Sequence, residues 1–327
     1  MDTRKMAVRF GAMLLAASLV LGAARAGAFD WIAQLPEEAL SLLIYLQTGR
    51  IVRLPPTIFP EATHPSEDPA PTEAPALPVF SDQDLSSVTM RYGCERRPEL
   101  APLMSMPLQW DLQDGQPAVL IIHTHATESY TKQPGEDYTE SGDYRTLEES
   151  YNMISIGARL AQLLEEGGIR VIHDQSLHDY PSYNGAYDSA RVAIEAYLAR
   201  YPTIRMVLDL HRDAASDGAG GQLATHATVD GEESAQLMLV LGTDEGSDPH
   251  PQWERNLSLG LKLAAVLEQD SPGVSRGINL RRYRFNMDLC PGSLLIEVGA
   301  AGDTHEKALR SITALARGIL ALARGSG

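Results

Sequence analysis

The sequence predicts an α/β domain in which a mostly parallel sheet is covered by helices on both faces. From about residue 90 onwards, short apolar runs alternate with longer stretches whose apolar residues recur at helical spacing. The apolar runs are nearly continuous, which is typical of strands buried on both faces of a parallel sheet. We therefore expect one α/β domain over residues 90–325.

Five apolar runs have the length and composition of buried strands, and each is followed by polar or turn-forming residues. The predicted strands span residues 117–123, 169–173, 204–211, 236–242 and 293–298.

Four stretches between or after these strands predict helices, over about residues 148–166, 186–200, 253–269 and 304–324. Thr146 and Glu149 predict a capping box at the start of the first helix, and Gly167 predicts its end. Asp303, with Glu306 three residues later, predicts the start of the last helix.

The N-terminus carries the pattern of an export signal. Arg4, Lys5 and Arg9 precede an uncharged stretch over residues 11–24, and small residues follow it. A snorkelling Arg9 could instead lengthen this stretch into an uncleaved anchor, so residues 1–27 are either a signal peptide or a membrane anchor. Both alternatives predict that the rest of the chain is exported.

Two segments separate this signal from the predicted domain. Residues 28–53 predict a short amphipathic helical segment. Eight prolines lie between Pro55 and Pro78, so residues 54–89 predict an extended, proline-rich linker.

Composition limits the kinds of partner and site. The 327 residues carry a formal charge of −16 and show no basic patch, which argues against a nucleic-acid partner. Only two cysteines are present, too few for a zinc site with four cysteine ligands. The sequence leaves open whether Cys94 and Cys290 form a disulfide.

Three predicted strands lead into residues that bind metals or move protons. The run "VLIIH" ends at His123, "MVLDLH" ends at His211, and "SLLIE" reaches Glu297. In open α/β sheets, ligands bind beyond the carboxyl ends of the strands. A metal ion would offset the free-energy cost of placing these polar groups there, so we expect a metal site at this edge.

A zinc hydrolase site commonly has three protein ligands and leaves one position for water, and a carboxylate acts as base. His123 and His211 are the candidate nitrogen ligands. The third ligand and the base must be acidic, and the candidates are Glu128, Glu148, Glu149 and Glu297. If Glu149 serves the capping box, Glu148 in the first helical turn is free to reach the metal.

Four stretches resemble the stage II sporulation protein P family: "IIHTHATESY", "SYNGAYDSAR", "LDLHRDA" and "FNMDLCPGSLLIEVG". They occur in the family's order, and the resemblance covers about residues 90–325 together with the anchor-and-linker layout. More distantly, the layout is similar to the zinc amidases of bacterial cell-wall turnover.

The resemblance implies roles for individual residues. It implies zinc ligands at His123, Glu148 and His211, and a catalytic glutamate at Glu297; Glu128 remains the alternative third ligand. Four further residues are predicted to bind substrate or to support the ligands. These are His125 and Glu128, Arg212 as a partner for a substrate carboxylate or the oxyanion, and Asp213 as a support for the ligand beside it.

The resemblance also implies a function. The family consists of exported, usually membrane-anchored hydrolases that cut the amide bond between N-acetylmuramic acid and L-alanine in peptidoglycan, with cleavage of peptide crosslinks also ascribed to them. They act in septal wall degradation during sporulation and engulfment, with a lytic transglycosylase and a membrane protein as partners. Two alternatives stay open: a non-catalytic peptidoglycan-binding scaffold, and an enzyme that mainly cuts crosslinks.

Overall fold

A computed structural model describes residues 80–216 and 218–325. The predicted signal or anchor over 1–27, the helical segment over 28–53 and the linker up to residue 79 lie outside the described residues. Within the described ranges, no helix combines the length and the apolar composition needed to cross a membrane.

A seven-stranded sheet forms the centre of the domain, in the order β1-β10-β9-β11-β6-β2-β5. Neighbouring strands are parallel except for β9 and β11, which are antiparallel, so the predicted mostly parallel sheet is confirmed. The strands are β1 (Met90–Gly93), β2 (Pro117–Ile122), β5 (Arg170–His173), β6 (Met206–Asp213), β9 (Leu237–Gly242), β10 (Ser275–Arg281) and β11 (Ser293–Ala300). Two small hairpins stand apart from it: β3 (Glu140–Gly142) with β4 (Arg145–Thr146), and β7 (Ala227–Val229) with β8 (Glu232–Ser234).

Helices cover both faces of the sheet, as predicted. They are α1 (Asp82–Leu85), α2 (Leu100–Met104), α3 (Met153–Glu166), α4 (Ala186–Arg200), α5 (Trp253–Asp270) and α6 (His305–Ala321), with a 3₁₀ turn at Met287–Leu289. Side chains of β2 alternate between two apolar clusters: Val119 and Ile121 join α3, α5 and α6, whereas Leu120 and Ile122 join α4. This alternation is expected because successive strand residues point to opposite faces.

The domain begins earlier than the predicted boundary at residue 90. Phe80, Leu85 and Val88, which fall in the predicted linker over 54–89, pack against the larger apolar cluster. Strand β1 then pairs with β10 at the edge of the sheet. Neither strand was predicted, because arginines and glycines interrupt both segments.

The predicted capping box at Thr146 and Glu149 is wrong. Thr146 lies in β4, and its hydroxyl donates to Thr139 O at 2.8 Å. Helix α3 starts only at Met153, where the N-cap Asn152 accepts a hydrogen bond from Ile154 N. Glu148 therefore lies in a turn before the helix, not in its first turn.

The other helix ends are close to the predicted ones. Gly167 is the C-cap of α3, as predicted. Helix α6 is capped by Thr304, whose hydroxyl accepts from Lys307 N, rather than by Asp303. The Asp303 carboxylate instead accepts hydrogen bonds from the backbone and hydroxyl of Thr225, which fixes the loop after β11. Cys94 and Cys290 are both free thiols.

Candidate metal-binding and catalytic site

The carboxyl ends of β2, β6 and β11 meet at one edge of the sheet, as the sequence predicted. Glu297 on β11 stands directly opposite His211 on β6 in the parallel register. Residues opposite each other on neighbouring strands project their side chains to the same face. The structure therefore brings His211 and Glu297 together.

His123 does not join them, because it projects to the other face of the sheet. Ile122 is opposite Asp209, which sets His123 beside Leu210 and one residue out of phase with His211. The ring of His123 is buried, with Nδ1 3.2 Å from Leu210 O and Nε2 2.9 Å from His173 Nε2. Burial and the neighbouring His173 lower the pKa of His123 to about 3.

Glu148 also does not belong to the buried side chains around His211. Its side chain is exposed, and its backbone N–H donates to the Thr146 hydroxyl at 3.2 Å. The set of His123, Glu148 and His211 stays an untested prediction as a group of ligands, and the geometry does not favour it.

The structure instead gathers His125 and Glu128 around His211. The His125 and His211 rings are perpendicular, with centroids 5.3 Å apart. Glu128 Oε2 lies 3.6 Å from His211 Nδ1, and Asp209 Oδ1 lies 3.0 Å from His211 Nε2. All four side chains are buried. His125, which we predicted to support the ligands or bind substrate, and Glu128, the alternative third ligand, thus both lie beside His211.

Two arginines hold Glu128 in place. The backbone N–H of Arg212 donates to Glu128 Oε2 at 3.2 Å, and Arg145 Nη2 donates to Glu128 Oε1 at 3.5 Å. Arg145 also donates to Asp179 Oδ2, which lies 3.9 Å from His125 Nδ1. Loop 124–130 is therefore fixed against β6 by charged groups.

Arg212 and Asp213 have partners within the protein. The Arg212 guanidinium is buried and donates to Ser129 O at 3.0 Å and to Tyr144 O at 3.2 Å, which anchors the loops around the site. Asp213 accepts from Arg276 Nη1 at 2.8 Å and from Ala215 N. The predicted contact of Arg212 with substrate stays a prediction, and so does the predicted support of a ligand by Asp213, whose hydrogen bonds go to Arg276 and Ala215.

The carboxylates of the site stabilise a positive charge on His211. Burial alone would lower the pKa of His211, but Asp209, Glu128 and Glu297 raise it to about 9. Burial also raises the pKa of Glu297 to about 8, since the attraction of His211 offsets it only in part. Burial and the His211 charge lower the pKa of His125 to about 3, so its ring is neutral and able to bind a metal, whereas His211 must release a proton before it can do so.

Two buried atoms of the site lack a hydrogen-bond partner: His125 Nδ1, which lies 3.9 Å from Asp179 Oδ2, and Glu297 Oε2. Buried polar atoms without partners are rare, and they mark places where an ion or water belongs. Two imidazoles with a carboxylate are also the ligand types that zinc prefers in hydrolases. Within residues 80–216 and 218–325, however, no three such side chains already converge closely enough to hold a metal ion. The donor set fits zinc in the chemical type of its side chains.

Sequence reasoning missed Asp209 and Asp179. Asp209 accepts hydrogen bonds from Thr124 N at 2.8 Å and from its hydroxyl at 2.6 Å, and so ties the His125 loop to the strand that carries His211. The signal was present: Asp209 is the one charged residue in the apolar run "MVLDLH", where it needs a partner. Nothing local singles out Asp179, because its role depends on tertiary contacts.

The chain matches known proteins over most of its length. The family described as "Stage II sporulation protein P (SpoIIP)" matches residues 63–320. The stage II sporulation protein P of Bacillus subtilis (strain 168) is 26% identical over 243 residues. That alignment takes in 68% of this chain and 57% of the relative, so the chain spans little more than half of the relative's length.

Solved structures of low sequence identity were also found. The N-acetylmuramoyl-L-alanine amidase AmiC2 of Nostoc punctiforme aligns with a TM-score of 0.36 at 15% identity, over 62% of this chain and 95% of its own. An N-acetylmuramoyl-L-alanine amidase from Clostridium difficile 630 has a TM-score of 0.38 at 12% identity, over 64% and 97%. The apo form of Ami1 from Mycobacterium abscessus gives 0.38 at 13% identity, over 64% and 100%.

Proposed function

The chain belongs to the stage II sporulation protein P family, and from that premise we propose that it is a peptidoglycan hydrolase. The bond that we propose it cuts is the amide between N-acetylmuramic acid and L-alanine. The observation that carries this proposal is the buried group of His125, Glu128, His211 and Glu297 at the carboxyl edge of the sheet, in which His125 Nδ1 and Glu297 Oε2 lack partners. Unpartnered, titratable groups at such an edge are typical of catalytic sites.

The cofactor that these residues would hold is zinc. His125, Glu128 and His211 are the ligands that the geometry favours, in place of the set with His123 and Glu148. When bound, zinc would supply Lewis acidity to the scissile carbonyl and lower the pKa of the attacking water.

The protein side chains then have separate roles. Glu297 has one free carboxylate oxygen, and the positive charge of a bound metal would favour its ionised form against the burial that raises its pKa to about 8; in that form it accepts a proton from the attacking water and returns one to the leaving amine. Asp209, at 3.0 Å from His211 Nε2, orients that ring so that Nδ1 faces Glu128. Asp179 and Arg145 hold the loop that carries His125 and Glu128.

We place this activity outside the cytoplasm, at the septum of a sporulating cell, because the family is named for sporulation and the N-terminal sequence predicts export. The predicted membrane anchor would keep the enzyme near its substrate. A lytic transglycosylase and a membrane protein are the partners proposed for septal wall degradation, and crosslink cleavage is proposed as a second activity of the same site.

Digestion of purified sacculi by the full chain tests the activity. We expect mass spectrometry to show stem peptides released from glycan, and Glu297→Gln to reduce the rate by at least about 100-fold while the variant keeps its fold and its zinc. Full activity in Glu297→Gln would overturn the role of this carboxylate. Products cut only within the peptides would identify a crosslink endopeptidase, and binding of sacculi without any cleavage would identify a scaffold.

A further inference from the structure

A row of aromatic rings leads from the proposed site to the protein surface. We call it the aromatic row; in order, it consists of Tyr183, His125, Tyr187, Phe285 and Tyr283. Successive ring centroids are 4.4, 5.6, 6.0 and 6.3 Å apart. The first pair is stacked, with 5° between the ring planes, so Tyr183 lies flat on His125.

The two ends of the aromatic row are open to solvent, whereas its middle is packed. Tyr183 and Tyr283 are each 56% exposed, and both belong to the few large hydrophobic side chains that the described part of the chain exposes. Tyr187 and Phe285 are partly buried between them. Exposed rings beside a buried polar site are a common mark of ligand binding.

The loop that carries Phe285 is held in a strained conformation. Phe285 and Asn286 both have positive φ, at 49° and 60°, a backbone conformation that residues other than glycine rarely adopt. Asn286 Nδ2 donates to Tyr187 O at 2.8 Å, and Arg191 donates twice to Asp288, at 3.0 and 2.9 Å. Such strain persists only where contacts enforce it and often marks functional loops, so these bonds fix Phe285 against Tyr187.

The chemistry around the aromatic row favours an uncharged ligand. Carboxylates of Glu128 and Asp209 lie beside His211 at its inner end, whereas Arg145 lies 4.9 Å from the Tyr183 centroid and Arg282 lies 5.6 Å from the Tyr283 centroid, so the row as a whole favours neither sign of charge. A pyranose ring is neutral, and its C–H face packs on an aromatic face while its hydroxyls bond to the tyrosine O–H. We propose that the aromatic row binds the sugar rings of the glycan strand and so directs the site to glycan-linked amides. This inference rests on the proposed function.

Binding of a peptide-free glycan tests the inference separately from hydrolysis. The probe is a hexamer of N-acetylglucosamine, titrated calorimetrically into full-length Glu297→Gln protein. We expect Tyr183→Ala and Tyr283→Ala each to weaken binding at least fivefold, and Tyr283→Phe, which keeps the ring and loses only the hydroxyl, to weaken it less than Tyr283→Ala does. Tyr180→Ala is the matched control, since Tyr180 is 47% exposed in the same loop as Tyr183 but has no ring contact with the row among the described residues. Circular dichroism checks that each variant is folded.

Kinetics with sacculi give a second readout in the active enzyme. Phe285 lies between Tyr283 and Tyr187, and among the residues that the structure describes Tyr283 has no ring contact with a proposed metal ligand. Tyr283→Ala should therefore raise KM several-fold with kcat unchanged. Absence of hexamer binding by the parent protein, or equal binding by both alanine variants, would overturn the inference. If hexamer binding needs the row but no amide is cleaved, the proposed function fails while the inference stands.

Discussion

At the scale of single residues, the choice between the two proposed sets of metal ligands depends on one step of strand register. His123 and His211 both end apolar runs, but the pairing of Ile122 with Asp209 sends them to opposite faces of the sheet. His125, beyond the strand, turns back towards His211, with ring centroids 5.3 Å apart. The pattern of apolar residues in a sequence does not specify the register between strands that are far apart in the chain.

Zinc binding by four single-alanine variants distinguishes the two ligand sets. We expect His125→Ala and Glu128→Ala to lower zinc affinity by at least about 100-fold, since loss of a ligand exceeds the effect of losing a supporting group. His123→Ala and Glu148→Ala should bind zinc as the parent does. Competition with a zinc-sensitive dye measures the affinities. The reverse pattern would restore the set predicted from the sequence.

Lys262 is a second residue whose environment makes a measurable prediction. Its side chain is 1% exposed, and its ammonium donates to Leu103 O and the Ser258 hydroxyl. Burial lowers the pKa of Lys262 to about 8, against roughly 10.4 in the unfolded chain. Between about pH 8 and roughly pH 10.4 the unfolded state binds more protons than the folded state, so this lysine makes the free energy of unfolding rise with pH. Below about pH 8 the free-energy cost of burying the charged lysine is constant.

Lys262→Met should therefore stabilise the protein at pH 7 by about 1–2 kcal/mol, because methionine has a similar volume but carries no charge that must be buried. The Ser258 hydroxyl still donates to Leu103 O in the variant. Urea unfolding of both proteins at pH 7 and pH 10.5 measures the difference. We expect the advantage of the variant to disappear at the higher pH; an equal advantage at both values would contradict the assignment.

At the scale of secondary-structure elements, helix α3 approaches the sheet at Gly157. A methyl group at this position would collide with the Nε2 atoms of His123 and His173. The buried pair of histidines thus fills the space that a larger residue would need, which explains a glycine in the middle of a helix. The role of His123 that follows from these contacts is to join β2, β5 and α3.

Gly157→Ala tests this packing. Alanine adds about 1 kcal/mol of helix propensity, whereas overpacking a core costs about 1–3 kcal/mol. Because the collision involves two rings, we expect the free energy of unfolding to fall by about 2 kcal/mol in urea titrations. His173→Ala in the same chain should recover part of that loss, as a double-mutant cycle would show. Additive losses would mean that the three residues are not coupled.

The predictability of the elements follows their burial. Helix α4 has the predicted bounds of 186–200, and the five apolar strands lie within two residues of their predicted ends. Strands β1 and β10 lie towards one edge, where arginines and glycines replace the apolar run, so no pattern marked them. The start of α3 was also missed, because a hairpin between Glu140 and Thr146 uses the residues that resemble a helix cap.

At the scale of the whole molecule, the proposed metal site predicts that metal binding stabilises the fold. Glu128, Asp209 and Glu297 all raise the pKa of His211, so this place in the protein stabilises a positive charge. A ligand present at 100 times its dissociation constant stabilises the folded state by about 2.7 kcal/mol. We expect zinc to raise the Tm of the chelator-treated full chain by roughly 5–10 °C in calorimetry. The same addition should leave His125→Ala almost unchanged, and an equal rise in both proteins would point to binding elsewhere.

The direction of the strands explains why one edge carries the chemistry. Strands β2, β5, β6 and β11 run one way, whereas β9, β10 and β1 run the other. The direction reverses between β9 and β11, so β11, β6 and β2 remain parallel neighbours and their carboxyl ends are adjacent. Alternating apolar and helical stretches predicted the parallel part, but they do not predict where a sheet reverses, since that depends on the order of strands in space.

The strand order also sets where the site lies in the sheet. The described chain enters the domain through β1 at one edge, and β6 is the fourth strand across from it. At about 4.8 Å between strands, the site lies roughly 20 Å to the side of that entry point. Strands β11, β6 and β2 each have a paired neighbour on both sides, so the site stands on the interior of the sheet and not on a strand with an unpaired edge.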